Sequence, residues 1–231
     1  MTAKFYGIGL GPGDPGLVTL RALEVLQSAG RIFCVAARGA SRSVSASILA
    51  ALPGVTAEVT ELEFTMSTDW EERLARIDGH AAAILELLRG GVECAFASIG
   101  DPMTYSTCSY LLRALRKLEP ELAYEIVPGV NSWSALAAKC GEVLCEDEET
   151  LRIVPGYSVA DGEDPAAFSG HGTTVLLKAY RNRNRLLKTL PPGAQVLYGA
   201  NIGLAGEVCC SDVGEMESLP EAYLSMLVVK H

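Results

Sequence analysis

Short apolar runs alternate with segments of helical periodicity through residues 1–130, and this alternation constrains the fold more than any other feature. Runs typical of strands lie at 4–10, 32–35, 55–59, 92–97 and 124–127. Between them, the segment 70–88 repeats apolar residues at helical spacing and is followed by two glycines. Strands that alternate with helices form βαβ units, so we predict a largely parallel sheet.

The pattern changes after Gly141, where the candidate strands become shorter and closer together. They lie at 151–154, 173–177, 195–198, 207–211 and 223–229. One or two helices fit between them, which predicts a mixed sheet. The chain is therefore expected to be an α/β protein with an N-terminal α/β domain at 1–130 and a C-terminal α+β domain at 131–231.

Composition narrows the classes of protein that fit this chain. It has 231 residues, 49% of them hydrophobic, and a net charge of −9, which argues against nucleic-acid binding. The sequence contains neither the run of about 20 apolar residues that spans a membrane nor the layout of a signal peptide, so we expect a cytoplasmic protein. The seven cysteines form no CxxC pair, and we expect free thiols without a disulfide framework or metal site.

Glycine-rich loops follow three of the predicted strands, at 9–15, 98–107 and 128–132. Glycine lets the backbone approach a ligand closely, and the carboxyl ends of parallel strands are where ligands bind in open α/β sheets. The first loop fits neither the Rossmann fingerprint nor the P-loop, which disfavours a dinucleotide or a nucleoside triphosphate. We therefore expect a ligand with fewer phosphates and with a positive or zwitterionic part.

The loop 98–107 allows two interpretations. Gly100-Asp101-Pro102 is either part of a ligand-binding loop or a tight turn in which Asp101 caps the next helix. A second Gly-Asp-Pro, at 13–15, favours the binding loop.

The sequence offers few strong acid–base groups. Its three histidines, His80, His171 and His231, stand beside no serine or cysteine nucleophile motif. This profile is typical of an enzyme whose reactive power comes from a substrate or cofactor, while the protein binds and orients. Methyl transfer from a sulfonium donor fits, because that donor is already activated.

In combination and order, these loops resemble the tetrapyrrole (corrin/porphyrin) methyltransferase family, which uses S-adenosyl-L-methionine. The resemblance covers nearly the whole chain. Segments 5–15, 64–69 and 101–107 are most similar to the members that methylate C-20 of precorrin-2 or of its cobalt form, cobalt-factor II. The resemblance implies a homodimer of two-domain chains, with the active site in the trough between the two domains. The sequence departs from the family at Gly16, usually acidic, and matches only loosely at 203–207.

The resemblance also implies roles for individual residues. By position, the residues that bind S-adenosyl-L-methionine and its product S-adenosyl-L-homocysteine would be Pro12, Gly100, Asp101, Met103, Ser106, Thr107, Val130, Ala179, Tyr180 and Leu204. Asp101 can balance the positive charge of the donor. Asp101 and Tyr105 are the catalytic candidates for removing the proton from C-20, although substrate or water can also serve. Core packing is the alternative for Met103 and Tyr105.

Two basic segments, 29–57 and 178–188, contain no acidic residue although the protein as a whole is acidic. Solvated helix faces are the ordinary explanation of such runs, but an anionic substrate needs them too. The tetrapyrrole carries several carboxylates, and the candidates to hold them are Arg38, Arg42, Lys178, Arg181 and Arg183.

Other readings stay open at this point. A related methyltransferase can act elsewhere on the ring, as on uroporphyrinogen III or precorrin-4. A non-catalytic tetrapyrrole-binding protein, or a relative that methylates diphthamide precursors on a protein, would belong to other classes. The sequence does not indicate whether the substrate holds cobalt.

Overall fold

The computed structural model describes residues 3–36, 43–64, 69–160 and 167–231. The chain divides into two compact units, Met1–Asn131 (unit 1) and Ser132–His231 (unit 2). Within the described ranges, each unit contains a five-stranded sheet. None of the helices described there is long and apolar enough to cross a membrane.

Unit 1 is built on a parallel sheet. Its strands are β1 (Phe5–Gly9), β2 (Arg31–Val35), β3 (Glu58–Leu62), β4 (Cys94–Ser98) and β5 (Tyr124–Val127). They lie in the order β3-β2-β4-β1-β5, and every neighbouring pair is parallel. The predicted parallel sheet is confirmed, although β3 begins three residues after the predicted start at Val55 because its pairing with β2 begins at Glu58.

The helices of unit 1 cover both faces of this sheet. They are α1 (Leu20–Ser28), α2 (Val44–Ala51), α3 (Trp70–Arg89) and α4 (Thr107–Leu118). Each is preceded by a residue whose side chain accepts a hydrogen bond from the first turn: Thr19, Ser43, Asp69 and Ser106. Side chains alternate along the strands, so α1 and α2 pack on one face and α3 and α4 on the other.

The order of the strands creates a crevice at one edge of the sheet. β1 and β4 are neighbours, but the connection from β1 leads through α1 to β2, whereas that from β4 leads through α4 to β5. The two connections run over opposite faces of the sheet. Ligands in open α/β sheets bind where neighbouring connections diverge in this way, outside the carboxyl ends of the strands.

Unit 2 contains a mixed sheet, as predicted. Its elements are α5 (Ser132–Cys140), β6 (Thr150–Pro155), α6 (Gly156–Ala160), β7 (Gly172–Leu177), α7 (Arg183–Lys188), β8 (Gln195–Ala200), β9 (Val208–Cys210), α8 (Val213–Met216) and β10 (Ser225–Lys230). In the order β6-β7-β10-β8-β9, β6 and β7 are parallel and the other pairs antiparallel. Among the described residues, three helices lie between its strands where one or two were predicted, because each is six residues or shorter and shows no periodicity.

Candidate functional site

Glycine turns from three neighbouring strands meet at the carboxyl edge of the unit 1 sheet. Gly11, after β1, and Gly100, after β4, exchange backbone hydrogen bonds with N···O distances of 3.3 and 2.7 Å. Gly129 follows β5, and a Cβ added to it would lie 2.1 Å from the carbonyl oxygen of Gly100. A Cβ added to Gly9 would lie 2.4 Å from the amide nitrogen of Gly129. The three loops therefore pack backbone against backbone, at a distance that side chains would prevent.

The other side of the Gly100 turn is open. Gly100 has a φ of 72°, in the left-handed region, and a Cβ built on it would meet no atom within 4 Å. Among the described residues, nothing therefore occupies the space into which a side chain at this position would point. A ligand can approach this backbone as closely as the missing side chain allows.

The carboxylate of Asp101 fixes this turn. Its Oδ1 accepts hydrogen bonds from the Met103 amide at 2.9 Å and the Thr104 hydroxyl at 3.3 Å. Its Oδ2 accepts from the Gly129 amide at 3.2 Å, so it ties the loop after β4 to the loop after β5. The alternative in which Asp101 caps the next helix is wrong, because Ser106 is the N-cap of α4.

Ser106 connects the turn to both flanking elements. Its hydroxyl accepts a hydrogen bond from the Cys108 amide at 3.2 Å and donates to the Ser98 hydroxyl at 3.1 Å. Thr107 is the first residue of α4 and is half-buried. Sequence reasoning does not find Ser98, because a lone serine at the end of a strand carries no distinctive signal.

Met103 and Tyr105 extend from the same turn. Their side chains are 51% and 52% exposed, and Tyr105 has a left-handed φ of 51°. Core packing, the alternative for both residues, is therefore wrong. The turn presents a thioether and a phenol at its surface.

The nearby thiol offers no nucleophile. Burial, and then the negative charge of Asp101, raise the pKa of Cys108 to about 12, so this thiol is protonated at neutral pH. Across the described ranges, no group of three or more histidine, cysteine or carboxylate side chains is placed to hold a metal ion. The carboxyl edge thus has the means to bind and orient a ligand, with few groups for acid–base chemistry.

The remaining predicted residues of unit 1 lie on the same edge or outside the described ranges. Pro12 is buried in the loop after β1, and Val130 is half-buried in the loop after β5. Arg38 and Arg42 lie outside the described residues.

In unit 2, the predicted residues follow two strands that end at one edge. β7 and β8 both run antiparallel to β10, so the segment 178–183 after β7 and Leu204 after β8 share that edge. Ala179 is buried, whereas the Tyr180 ring lies 5.3 Å from the ring of Tyr223. The residues that the sequence predicted in unit 2 thus lie at one edge of the unit 2 sheet.

The three predicted basic side chains of the segment 178–183 differ in exposure and in their contacts. Lys178 and Arg181 are exposed, and the guanidinium of Arg181 lies 5.3 Å from the Tyr180 ring centroid. Arg183 is only 5% exposed and donates to the carbonyl oxygens of Glu217 and Pro220 at 3.5 and 3.2 Å. Its guanidinium is engaged in holding the segment 217–220, so we assign Arg183 to the fold of unit 2.

Comparisons with known proteins point to the same family that the glycine-rich loops resemble. Residues 4–216 match the family of Tetrapyrrole (Corrin/Porphyrin) Methylases. The cobalt-precorrin-2 C(20)-methyltransferase of Salmonella typhimurium is 31% identical, with 99% of this chain and 97% of that protein covered. A Methanocaldococcus jannaschii protein named "Probable cobalt-precorrin-2 C(20)-methyltransferase" is 30% identical, with coverage of 100% and 97%.

A solved structure shows the same fold. The cobalt precorrin-4 methyltransferase CbiF superposes with a TM-score of 0.72 at 21% identity, over 98% of this chain and 94% of CbiF. The family match covers the whole sheet of unit 1 and four of the five strands of the unit 2 sheet, and the glycine turns that resemble the family lie together at one edge of the first sheet. The chain belongs to the tetrapyrrole (corrin/porphyrin) methylase family.

Proposed function

We propose that this protein is an S-adenosyl-L-methionine-dependent methyltransferase that methylates C-20 of precorrin-2 or cobalt-factor II in cobalamin biosynthesis. The relatives that carry this activity in their names align over almost their whole length. The observation that carries the proposal is the Gly100 turn, which Asp101 and Gly129 brace on one side and which is open on the other.

The residues of the carboxyl edge suit the donor. S-adenosyl-L-methionine supplies a methyl group that is already activated on a positively charged sulfur. Gly100 lets the main chain approach it, and the negative charge of Asp101 favours a cationic ligand. We propose that the unit 1 residues of the site are Pro12, Gly100, Asp101, Met103, Ser106, Thr107 and Val130. Family resemblance adds Ala179, Tyr180 and Leu204.

The contacts of Asp101 favour a positioning role over that of a base. Its carboxylate accepts three hydrogen bonds, which occupy both oxygens and tie the loop after β4 to the loop after β5. In the reaction, C-20 forms a bond to the methyl carbon as the carbon–sulfur bond breaks, and C-20 then loses its proton. Among the predicted catalytic residues, Tyr105 is 52% exposed and extends from the same turn, so we propose Tyr105 or water as the proton acceptor.

The substrate carboxylates need cationic partners. Of the predicted basic residues, Lys178 and Arg181 are exposed, and we propose them as contacts together with Arg38 and Arg42. We also propose that the protein works as a cytoplasmic homodimer, which light scattering of the purified protein tests.

Product analysis tests the proposed function. The purified protein is incubated with S-adenosyl-L-methionine and precorrin-2, with and without cobalt. We expect a product heavier by one methyl group, and NMR should place that group on C-20. Methylation at another carbon would assign a different member of the family. Binding of the tetrapyrrole without methyl transfer would indicate a carrier protein instead.

A further inference from the structure

We propose that four side chains of α3 and α4, grouped around the first turns of the two helices, bind the ring and carboxylates of the tetrapyrrole substrate. They are Trp70, Arg73, Tyr110 and Arg113, and together we call them the Trp70 surface. This inference rests on the proposed function, since it names substrate contacts for the same reaction. Neither the family resemblance nor the basic segments of the sequence point to these residues.

The four side chains form one continuous cluster. The rings of Trp70 and Tyr110 meet edge to face, with centroids 6.0 Å apart. The guanidinium of Arg73 lies 5.1 Å from the Trp70 ring centroid, and that of Arg113 lies 4.8 Å from the Tyr110 ring centroid. Trp70 is 47% exposed, so about half of this large side chain is accessible to solvent.

The Trp70 surface lies at the same edge of the sheet as Gly100. Helices that connect parallel strands run back against them, so α3 and α4 both begin at the carboxyl edge. Trp70 is the first residue of α3, and Tyr110 lies in the first turn of α4. The loop that carries Gly100, Met103 and Tyr105 leads directly into α4.

The two arginines stand apart from most other basic residues of unit 1. Six of those described form ion pairs with carboxylates: Lys4, Arg21, Arg31, Arg76, Arg89 and Lys117. Arg73 and Arg113 form no ion pair with the described residues. A guanidinium stacked on an aromatic ring keeps in-plane N–H groups for a carboxylate. Arg113 donates its Nε–H to the Ser109 carbonyl, which leaves its two terminal NH₂ groups without a hydrogen bond to the residues that the structure describes.

Charge and shape together indicate the ligand. An exposed tryptophan beside a half-buried tyrosine suits a flat, conjugated ring, and two cations beside them suit carboxylates at the ring periphery. Simple packing between the two helices is the competing explanation for these contacts. Packing alone would make the arginines dispensable for binding, so the two explanations predict different results.

Arg116 provides a matched control. It stacks on the Tyr124 ring at 5.6 Å and, among the described residues, also forms no ion pair. It follows Arg113 by three residues in the same helix, but the ring that it contacts is the first residue of β5, at the amino edge of the sheet. Arg116→Ala removes the same charge and the same kind of stacking, away from the proposed surface.

Calorimetric titration in the presence of S-adenosyl-L-homocysteine tests the inference. The ligand is cobalt-factor II or precorrin-2, whichever the wild-type protein methylates. We expect Arg73→Ala combined with Arg113→Ala to raise the Kd for the tetrapyrrole about tenfold, and KM with it, while kcat and the Kd for S-adenosyl-L-homocysteine stay unchanged. Arg116→Ala should bind like the wild type. Replacing both arginines with lysine, which keeps the charge, should recover part of the affinity.

The experiment distinguishes a failure of this inference from a failure of the proposed function. If the wild type methylates its tetrapyrrole and the double alanine variant binds it as tightly as Arg116→Ala does, the Trp70 surface is overturned and the proposed function stands. If the wild type binds neither the donor product nor a tetrapyrrole, the proposed function itself fails. A double variant with native circular dichroism and unchanged affinity for S-adenosyl-L-homocysteine confirms that any lost tetrapyrrole affinity is local.

Discussion

The two edges of the parallel sheet in unit 1 are built in opposite ways. At the amino edge, ion pairs join elements that end or begin there: Lys4 with Glu125, Arg31 with Glu58, and Arg89 with Glu119. At the carboxyl edge, bare backbone packs at the turns of Gly9, Gly100 and Gly129, and the arginines of the Trp70 surface stack on aromatic rings. Ion pairs between neighbouring elements hold the amino edge, whereas the carboxyl edge leaves backbone and cations for a ligand.

This difference separates the residues that stabilise the fold from the residues that remain available to bind a ligand. Surface ion pairs contribute little individually, so the amino edge tolerates the loss of one. The packed glycines have no substitute, because any side chain forces the loops apart. We therefore expect changes at the packed glycine turns of the carboxyl edge to affect folding and cofactor binding together, and the loss of an ion pair at the amino edge to affect stability alone.

The largest effect is expected for Gly129→Ala. Its new methyl group would overlap the Gly100 carbonyl, so the free energy of unfolding should fall by about 3 kcal/mol. Gly79→Ala is the matched control, because Gly79 is exposed on α3 with no atom near its Cβ position, and it should raise stability by about 0.5–1 kcal/mol. Urea denaturation measures both, and a Gly129→Ala protein of wild-type stability would disprove the described packing.

A smaller effect is expected for Asp101→Asn. The amide offers one acceptor oxygen where the carboxylate offers two, so the Met103 or the Gly129 N–H loses its partner, at a cost of about 1–2 kcal/mol. Affinity for S-adenosyl-L-homocysteine should fall as well. Asp14→Asn changes the other Gly-Asp-Pro segment, where the exposed Asp14 accepts a hydrogen bond from the amide of Gly16, two residues away. Asparagine caps equally well, so stability should change by less than about 0.5 kcal/mol. Equal effects in the two variants would contradict the bracing role of Asp101.

The smallest effect is expected at the amino edge, for Glu125→Gln. Hydrogen bonds from Arg21, and then Lys4, hold the pKa of Glu125 below its ordinary value of 4.5. A lowered folded-state pKa stabilises the protein at neutral pH, and this contribution is lost as the pH falls below 4.5. Glu125→Gln should therefore cost less than about 1 kcal/mol at pH 7, with wild-type affinity for S-adenosyl-L-homocysteine. The stability difference from the wild type should shrink on acidification; a difference that grew would refute this origin.

Much of the fold could be predicted from local patterns. Helix α3 was expected at 70–88 and spans Trp70–Arg89, because its apolar stripe, the Asp69 cap and the following glycines all lie within the segment. The start of β3 could not be found in the same way, since its register depends on pairing with β2. The short helices of unit 2 are too brief to show a period.

The same distinction between local patterns and contacts of distant residues applies to the candidate site. Its loops could be predicted, because glycine and proline mark them in the sequence. The bond from the Gly129 amide to Asp101 spans 28 positions, and those from Arg183 to the carbonyls of Glu217 and Pro220 span 34 and 37. Such partners are set by tertiary packing, which is why a buried structural arginine was predicted as a substrate contact.

One calorimetric comparison tests most directly whether the open Gly100 turn holds the donor. Gly100 and Gly91 have φ values of 72° and 86°, and neither has an atom within 4 Å of its Cβ position, but Gly91 lies in the turn at the amino edge. Alanine at either position carries the same backbone strain of about 1 kcal/mol. We predict that the wild type and Gly91→Ala bind S-adenosyl-L-homocysteine equally, and that Gly100→Ala binds it at least about tenfold more weakly. Equal affinity in the two variants, or no binding heat with the wild type, would contradict the assignment of the donor to this edge.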